Sequence, residues 1–132
     1  MTDLRVLIVE DDTSAAQLMK KLLREIGIHQ VYTAADGKEA LEFMGSCEDL
    51  YDLVLCDWNM PRMNGLELLQ QVRSTGSDLP FLMVTGVADK QSVLEAKNHG
   101  VTSYIVKPFS QKQLEAKLNA ITRMLTHQQS VA

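Results

Sequence analysis

Three observations predict an α/β fold, with a parallel sheet covered by helices on both faces. Five short apolar runs alternate with five segments of helical periodicity. The runs are nearly continuous in apolar residues, as in strands buried on both sides. Four of the five end in a chemically useful group, which places those groups along one edge of the predicted sheet.

The first run, 4–9 (LRVLIV), is rich in β-branched residues and ends in Glu10, Asp11 and Asp12. Thr13 or Ser14 suits the cap of the next helix, whose Ala15, Leu18, Met19, Leu22, Leu23 and Ile26 recur at three-to-four spacing until Gly27. The weaker run 30–34 (QVYTA) leads to Asp36-Gly37, a turn or helix start. A helix with Ala40, Leu41 and Met44 on one face follows and ends near Gly45, and a polar connection spans 47–50. The run 53–56 (LVLC) stops at Asp57, and Pro61 forbids its continuation. Asn64 and Glu67 have the spacing of a capping box, ahead of a helix carrying Leu66, Leu69 and Val72. The run 79–84 tolerates Pro80 only at its start and ends in Thr85 and Gly86. Asp89 or Ser92 opens a helix with Val93, Leu94 and Ala96, closed by Gly100. The run 102–106 (TSYIV) ends in Lys107 and Pro108. Ser110 and Gln113 form a second capping box, and the last helix carries Leu114, Leu118, Ile121 and Leu125. Residues 127–132 are expected to fray.

The 132 residues fit one domain with a real core, and the 45% hydrophobic and 23% charged contents are ordinary for a soluble globular chain. A net charge of -4 with no basic run argues against a nucleic-acid surface. No apolar stretch is long enough for a membrane span. Cys47 and Cys56 make no disulfide framework, and Cys56 reads as a small buried hydrophobe. With no signal peptide, a reducing, cytoplasmic compartment is expected. His29, His99 and His127 are scattered and read as surface residues.

The strand ends carry the chemistry. Glu10, Asp11, Asp12 and Asp57 would repel one another without a cation, and an all-oxygen set with open positions suits Mg²⁺. A His/Cys set for zinc is absent. Lys107 and Thr85 beside such a metal suit a phosphoryl group, offering a point charge and a hydroxyl donor. An Asp carboxylate can itself be phosphorylated. Asp57 as phosphoacceptor, with Mg²⁺ on Asp11 and Asp57, follows from this chemistry as an expectation.

The motifs VEDD (9–12), DWNMPRMNG (57–65), VTG (84–86) and YIVKPF (104–109), in this order, resemble those of response regulator receiver domains. Among these the chain is similar to the stand-alone, CheY-like chemotaxis type, over about residues 4–125. The resemblance implies a flavodoxin-like (βα)5 three-layer sandwich with sheet order 2-1-3-4-5. It implies one receiver domain over 1–132, ending in a short polar tail at 126–132. Asp57 would accept the phosphoryl group. Asp11, Asp57 and the Asn59 backbone carbonyl would hold Mg²⁺, with Glu10 acting through water and Asp12 at a less constrained position. Thr85 and Tyr104 would be the switch residues, Lys107 the phosphoryl contact, and Lys107-Pro108 a cis bond. Trp58 would line the pocket rim. Gly86 follows Thr85 at a position where small residues are common, and Val87, two residues after Thr85, stands where the chemotaxis type often has an acid.

The function so implied is a phosphorylation-activated switch of a two-component system, monomeric and not a turnover enzyme. A sensor histidine kinase or phosphotransfer protein would supply the phosphoryl group. A changed face of the fourth helix, fifth strand and fifth helix would bind a protein target, such as flagellar or chemotaxis machinery. The alternatives are a phosphorelay intermediate and a receiver cut from a longer regulator or hybrid kinase. A remote alternative is a Mg²⁺-dependent phosphohydrolase with an Asp nucleophile. Such hydrolases use a second acid two residues after the nucleophile, where this chain has Asn59.

Overall fold

The computed structural model describes residues 3–46, 50–86 and 89–131. Strands and helices alternate as β1 (Arg5–Val9), α1 (Thr13–Ile26), β2 (Gln30–Ala34), α2 (Gly37–Ser46), β3 (Leu53–Asp57), α3 (Gly65–Ser74), β4 (Phe81–Thr85), α4 (Lys90–Asn98), β5 (Ser103–Val106) and α5 (Gln111–Val131). The five strands are parallel in the order β2-β1-β3-β4-β5. Strand order reverses between β1 and β3, so their carboxyl ends diverge from a shared crevice.

Burial explains which runs became central. All five positions of β3 and of β4 are buried. Val6 and Ile8 of β1 point to one face, where Met19 and Leu23 of α1 and Leu114, Leu118 and Ile121 of α5 cover them. Leu7 and Val9 point to the other, under Ala40 of α2 and Leu68, Leu69 and Val72 of α3. This alternation is the two-residue period of a strand read against two helical layers. At the amino edge, Arg5 binds Asp52 through its backbone N–H at 2.8 Å, Nε at 3.1 Å and Nη2 at 3.2 Å, fixing the start of β1 against β3.

Several local expectations hold. Gly27 ends α1 in the left-handed region at φ 110°. Asn64 and Glu67 form the capping box of α3, and Ser110 and Gln113 exchange the same pair of hydrogen bonds before α5. Asp89 caps α4 by accepting from the Ser92 N–H.

Others are corrected. The cap of α1 is Asp12, not Thr13 or Ser14, because its carboxylate accepts from the N–H groups of Ser14 and Ala15. The buried stripe of α1 is Ala16, Met19 and Leu23; Leu18 lies off it, 58% exposed. On α4 only Ala96 is buried and Leu94 is also 58% exposed. Helix α5 continues to Val131 instead of fraying at 127, since no glycine or proline interrupts 111–131. Cys47 lies outside the described residues, as do the side chain of His127 and all of Val87.

Candidate functional site

Backbone hydrogen bonds carry the pairing of β1, β3 and β5 one residue past their ends, and so fix the side chains there. The Glu10 N–H donates to the Ala34 carbonyl at 3.0 Å, Trp58 N–H to Val84 at 2.9 Å, and Lys107 N–H to Thr85 at 2.8 Å. These bonds hold Glu10, Asp57 and Lys107 at the same edge of the sheet.

The three acids after β1 divide their work. Glu10 is buried, and its Oε2 accepts from the Asp12 N–H at 3.2 Å. The Asp12 carboxylate is spent on the α1 cap. Asp11 is exposed, and its carboxylate gathers with those of Glu10 and Asp57, all within 4.8 Å of one another. Lys107 closes the cluster: its Nζ lies 3.2 Å from Glu10 Oε1 and 3.4 Å from Asp57 Oδ1. Burial pushes the Glu10 carboxyl above its ordinary value, with Asp57 adding to the effect against the opposing Asp12 N–H and Lys107. Burial also works against charge on Lys107, but the Asp57 and Glu10 carboxylates outweigh it and raise the ammonium.

The β3–α3 loop is bent tightly around Asp57. The Gly65 N–H donates to the Trp58 carbonyl at 2.8 Å and the Met63 N–H to Pro61 at 2.7 Å. Arg62 takes a left-handed φ of 67° and sets its Nη1 3.5 Å from Asp36. A Cβ on Gly65 would stand 2.6 Å from the Asp57 carbonyl oxygen and 2.7 Å from Met83 Sδ, so only glycine fits there unstrained. The Cys56 thiol donates to that same carbonyl at 3.2 Å, and burial pushes the thiol's pKa well up, leaving it inert.

The other residues expected at the site differ in burial. Thr85 is buried at the end of β4, with Gly86 exposed beside it. Asn59 is exposed on the loop. The Lys107-Pro108 bond is cis. Trp58 is half-buried and packs against the core under α2 and α3, so it fills space as well as flanking Asp57. Tyr104 is half-buried, and Lys117 of α5 places its Nζ 5.2 Å from the ring centroid. Sequence reasoning did not reach Lys117, the left-handed Arg62 or the crowding at Gly65. The glycine at the close of the MNG triplet was the available signal for the last.

The donor set fits a divalent cation. Three carboxylates against one ammonium leave uncompensated negative charge, and all the donors are oxygen. Octahedral Mg²⁺ with bonds of about 2.1 Å spans roughly 4.2 Å between opposite ligands, a distance this cluster can bracket.

Fold and site together define a doubly wound domain whose acids and lysine converge at the topological switch point. The family model for the response regulator receiver domain matches residues 6–119. The chain belongs to that family. It is 38% identical over 125 residues to chemotaxis protein CheY-3 of Vibrio cholerae, covering 93% of this chain and 95% of that one. It is also 38% identical to chemotaxis protein CheY of Pseudomonas aeruginosa over 120 residues, 89% of this chain and 95% of the other. A crystal structure of Vibrio cholerae CheY4 superposes with a TM-score of 0.81 at 34% identity, covering 89% of this chain and 98% of that one. No helix among the described residues is long and apolar enough to cross a membrane.

Proposed function

We propose that this receiver domain is a two-component switch written at Asp57. The observation that carries the reading is the Lys107 ammonium, held between Glu10 and Asp57 at the edge where three strands end. An Asp57 oxygen attacks the phosphorus of a phosphohistidine on a sensor histidine kinase or phosphotransfer protein. The P–N bond breaks, and its electron pair leaves with the imidazole. Asp11, Asp57 and the Asn59 backbone carbonyl would hold Mg²⁺ directly. Glu10 would act through water, which suits a carboxylate whose two oxygens already accept from Asp12 and Lys107. Bound there, the ion supplies positive charge to the phosphoryl oxygens.

Lys107 lies close enough to Asp57 to donate to the new phosphoryl group, and Thr85, one residue beyond the Asp57–Val84 pairing, offers its hydroxyl from the next strand. Tyr104 then turns inward, and the α4-β5-α5 face presents a changed surface to a target protein. Exposed Leu94 and Val106 supply apolar contact on that face. The chemistry ends at the aspartyl phosphate because Asn59 carries no general acid or base, so the domain is a switch and not a turnover enzyme. The names of the curated relatives support a chemotaxis target. Beryllofluoride with Mg²⁺ should quench Trp58 fluorescence in the wild type and have no effect on Asp57→Asn. An equal response from both proteins would sink the assignment.

A further inference from the structure

Helix α4 is attached unevenly. Ala96, near its carboxyl end, is its one buried residue, while Lys90 and Gln91 at its amino end are exposed. Its amino end follows Thr85 by a few residues, so one end of the helix is joined to the site by chain.

The carboxyl end is tied down by α3. Arg73, in the last turn of α3, donates from Nε to the Gly100 carbonyl at 2.9 Å and from Nη1 to the Ser77 carbonyl at 3.0 Å. One guanidinium fork thus joins α3, the turn before β4 and the residue that closes α4. Gly100 is left-handed at φ 85°, and a Cβ there would stand 3.2 Å from Arg73 Nε and 3.4 Å from its Cδ. The Arg73 side chain therefore lies against the Gly100 backbone as well as bonding to it. One turn earlier on α3, Gln70 Nε2 lies 3.2 Å from His99 Nε2. The amides of Gly100 and Val101 close back onto Lys97 and Ala96, which makes this end a rigid cap.

We propose that Arg73 is the pivot of α4: it fixes the carboxyl end of the helix to α3, so that a change at the site swings the amino end as a lever. The proposal rests on the switch reading of Asp57 for the cause of the swing, but not for the pivot itself. A nine-residue helix is about 13 Å long, so a rotation about one end carries the displacement to the residues nearest Thr85. Leu94 and Lys90 move with the lever, while His99 stays.

Native-state hydrogen exchange of the resting protein tests the pivot without any phosphoryl chemistry. The amides of His99, Gly100 and Val101 should be more protected than those of Val93 and Leu94. Arg73→Met, which keeps the stem and removes the fork, should speed exchange at the first group about tenfold, the loss of one charge-assisted hydrogen bond. It should leave local exchange at Val93 and Leu94 unchanged. Uniform protection along α4 in the unaltered protein would overturn the proposal, whether or not the variant folds. So would an Arg73→Met effect equal at both ends of the helix. Adding beryllofluoride and Mg²⁺ should then shift the Val93 and Leu94 signals and spare His99 and Gly100. Silence everywhere in that step would count against the Asp57 reading and leave the resting gradient standing; a shift concentrated at Gly100 would refute the lever.

Discussion

Replacing Gly65 by Ala sets two known effects against each other. Gly65 is the first residue of α3, and Gly-to-Ala in a helix gains at most about 1 kcal/mol. The added Cβ, however, would stand 2.6 Å from the Asp57 carbonyl oxygen and 3.0 Å from Trp58 Cα, where ordinary contact begins near 3.4 Å. Both of those atoms are backbone, so relief requires the loop to move away from the end of β3. Such overpacking destabilises by about 1–3 kcal/mol. The 2.8 Å bond from the Gly65 N–H to Trp58 is strained at the same time, worth about 1 kcal/mol more. The net expectation is a loss of about 1–3 kcal/mol, read as a lower urea midpoint by circular dichroism with an unchanged slope. Gly45→Ala is the control: it sits in α2 with nothing within 4 Å of the new Cβ, and should gain up to about 0.5 kcal/mol. A Gly65→Ala midpoint at or above the wild-type value would refute the close approach of loop and strand.

Two further outcomes concern single acids outside the carboxylate cluster. Asp12→Ala should lower stability by about 1 kcal/mol in urea melts, the loss of a helix cap, while Mg²⁺ titration of Trp58 fluorescence stays as in the wild type. The Asp52 carboxyl, desolvated by burial but held by the Arg5 side chain and backbone N–H, lies below its ordinary value of 3.8. A lowered folded value means stability that is present above 3.8 and is lost as pH falls through the folded value. Because the pair is about a third exposed, solvent screens it to under about 1 kcal/mol. Urea melts of wild type and Asp52→Asn should therefore differ at neutral pH and converge in acid.

The strands were legible because burial on both faces demands unbroken apolar runs, and 53–56 and 81–84 supply them. Glu10, Asp57, Thr85 and Lys107 were legible for the converse reason: each breaks such a run with a polar group at its carboxyl end. Asp12 was harder, since an acid in that place suits a helix cap as well as the edge of the site, and only geometry shows its oxygen turned to the α1 amides. The apolar side chains of Leu18 and Leu94 lie at helical spacing yet face outward, because a periodic pattern fixes the stripe's direction only to within a neighbouring residue. Gly65 and Arg73 depend on segments that meet only after folding. Beyond the glycine itself at position 65, nothing local announces the carbonyl that each lies against.

The strand order has a consequence for taking the molecule apart. The chain through α2 contributes only β1 and β2 to the sheet; everything after it contributes β3, β4 and β5. The two portions share a single ladder, β1 against β3. Glu10 and Asp11 belong to the first portion, while Asp57, Thr85 and Lys107 belong to the second. A cut between α2 and β3 would divide the acids from one another, so neither fragment could gather the three carboxylates alone. The site is thus a property of the seam, and a pair of such fragments would gather the three carboxylates again only by finding each other.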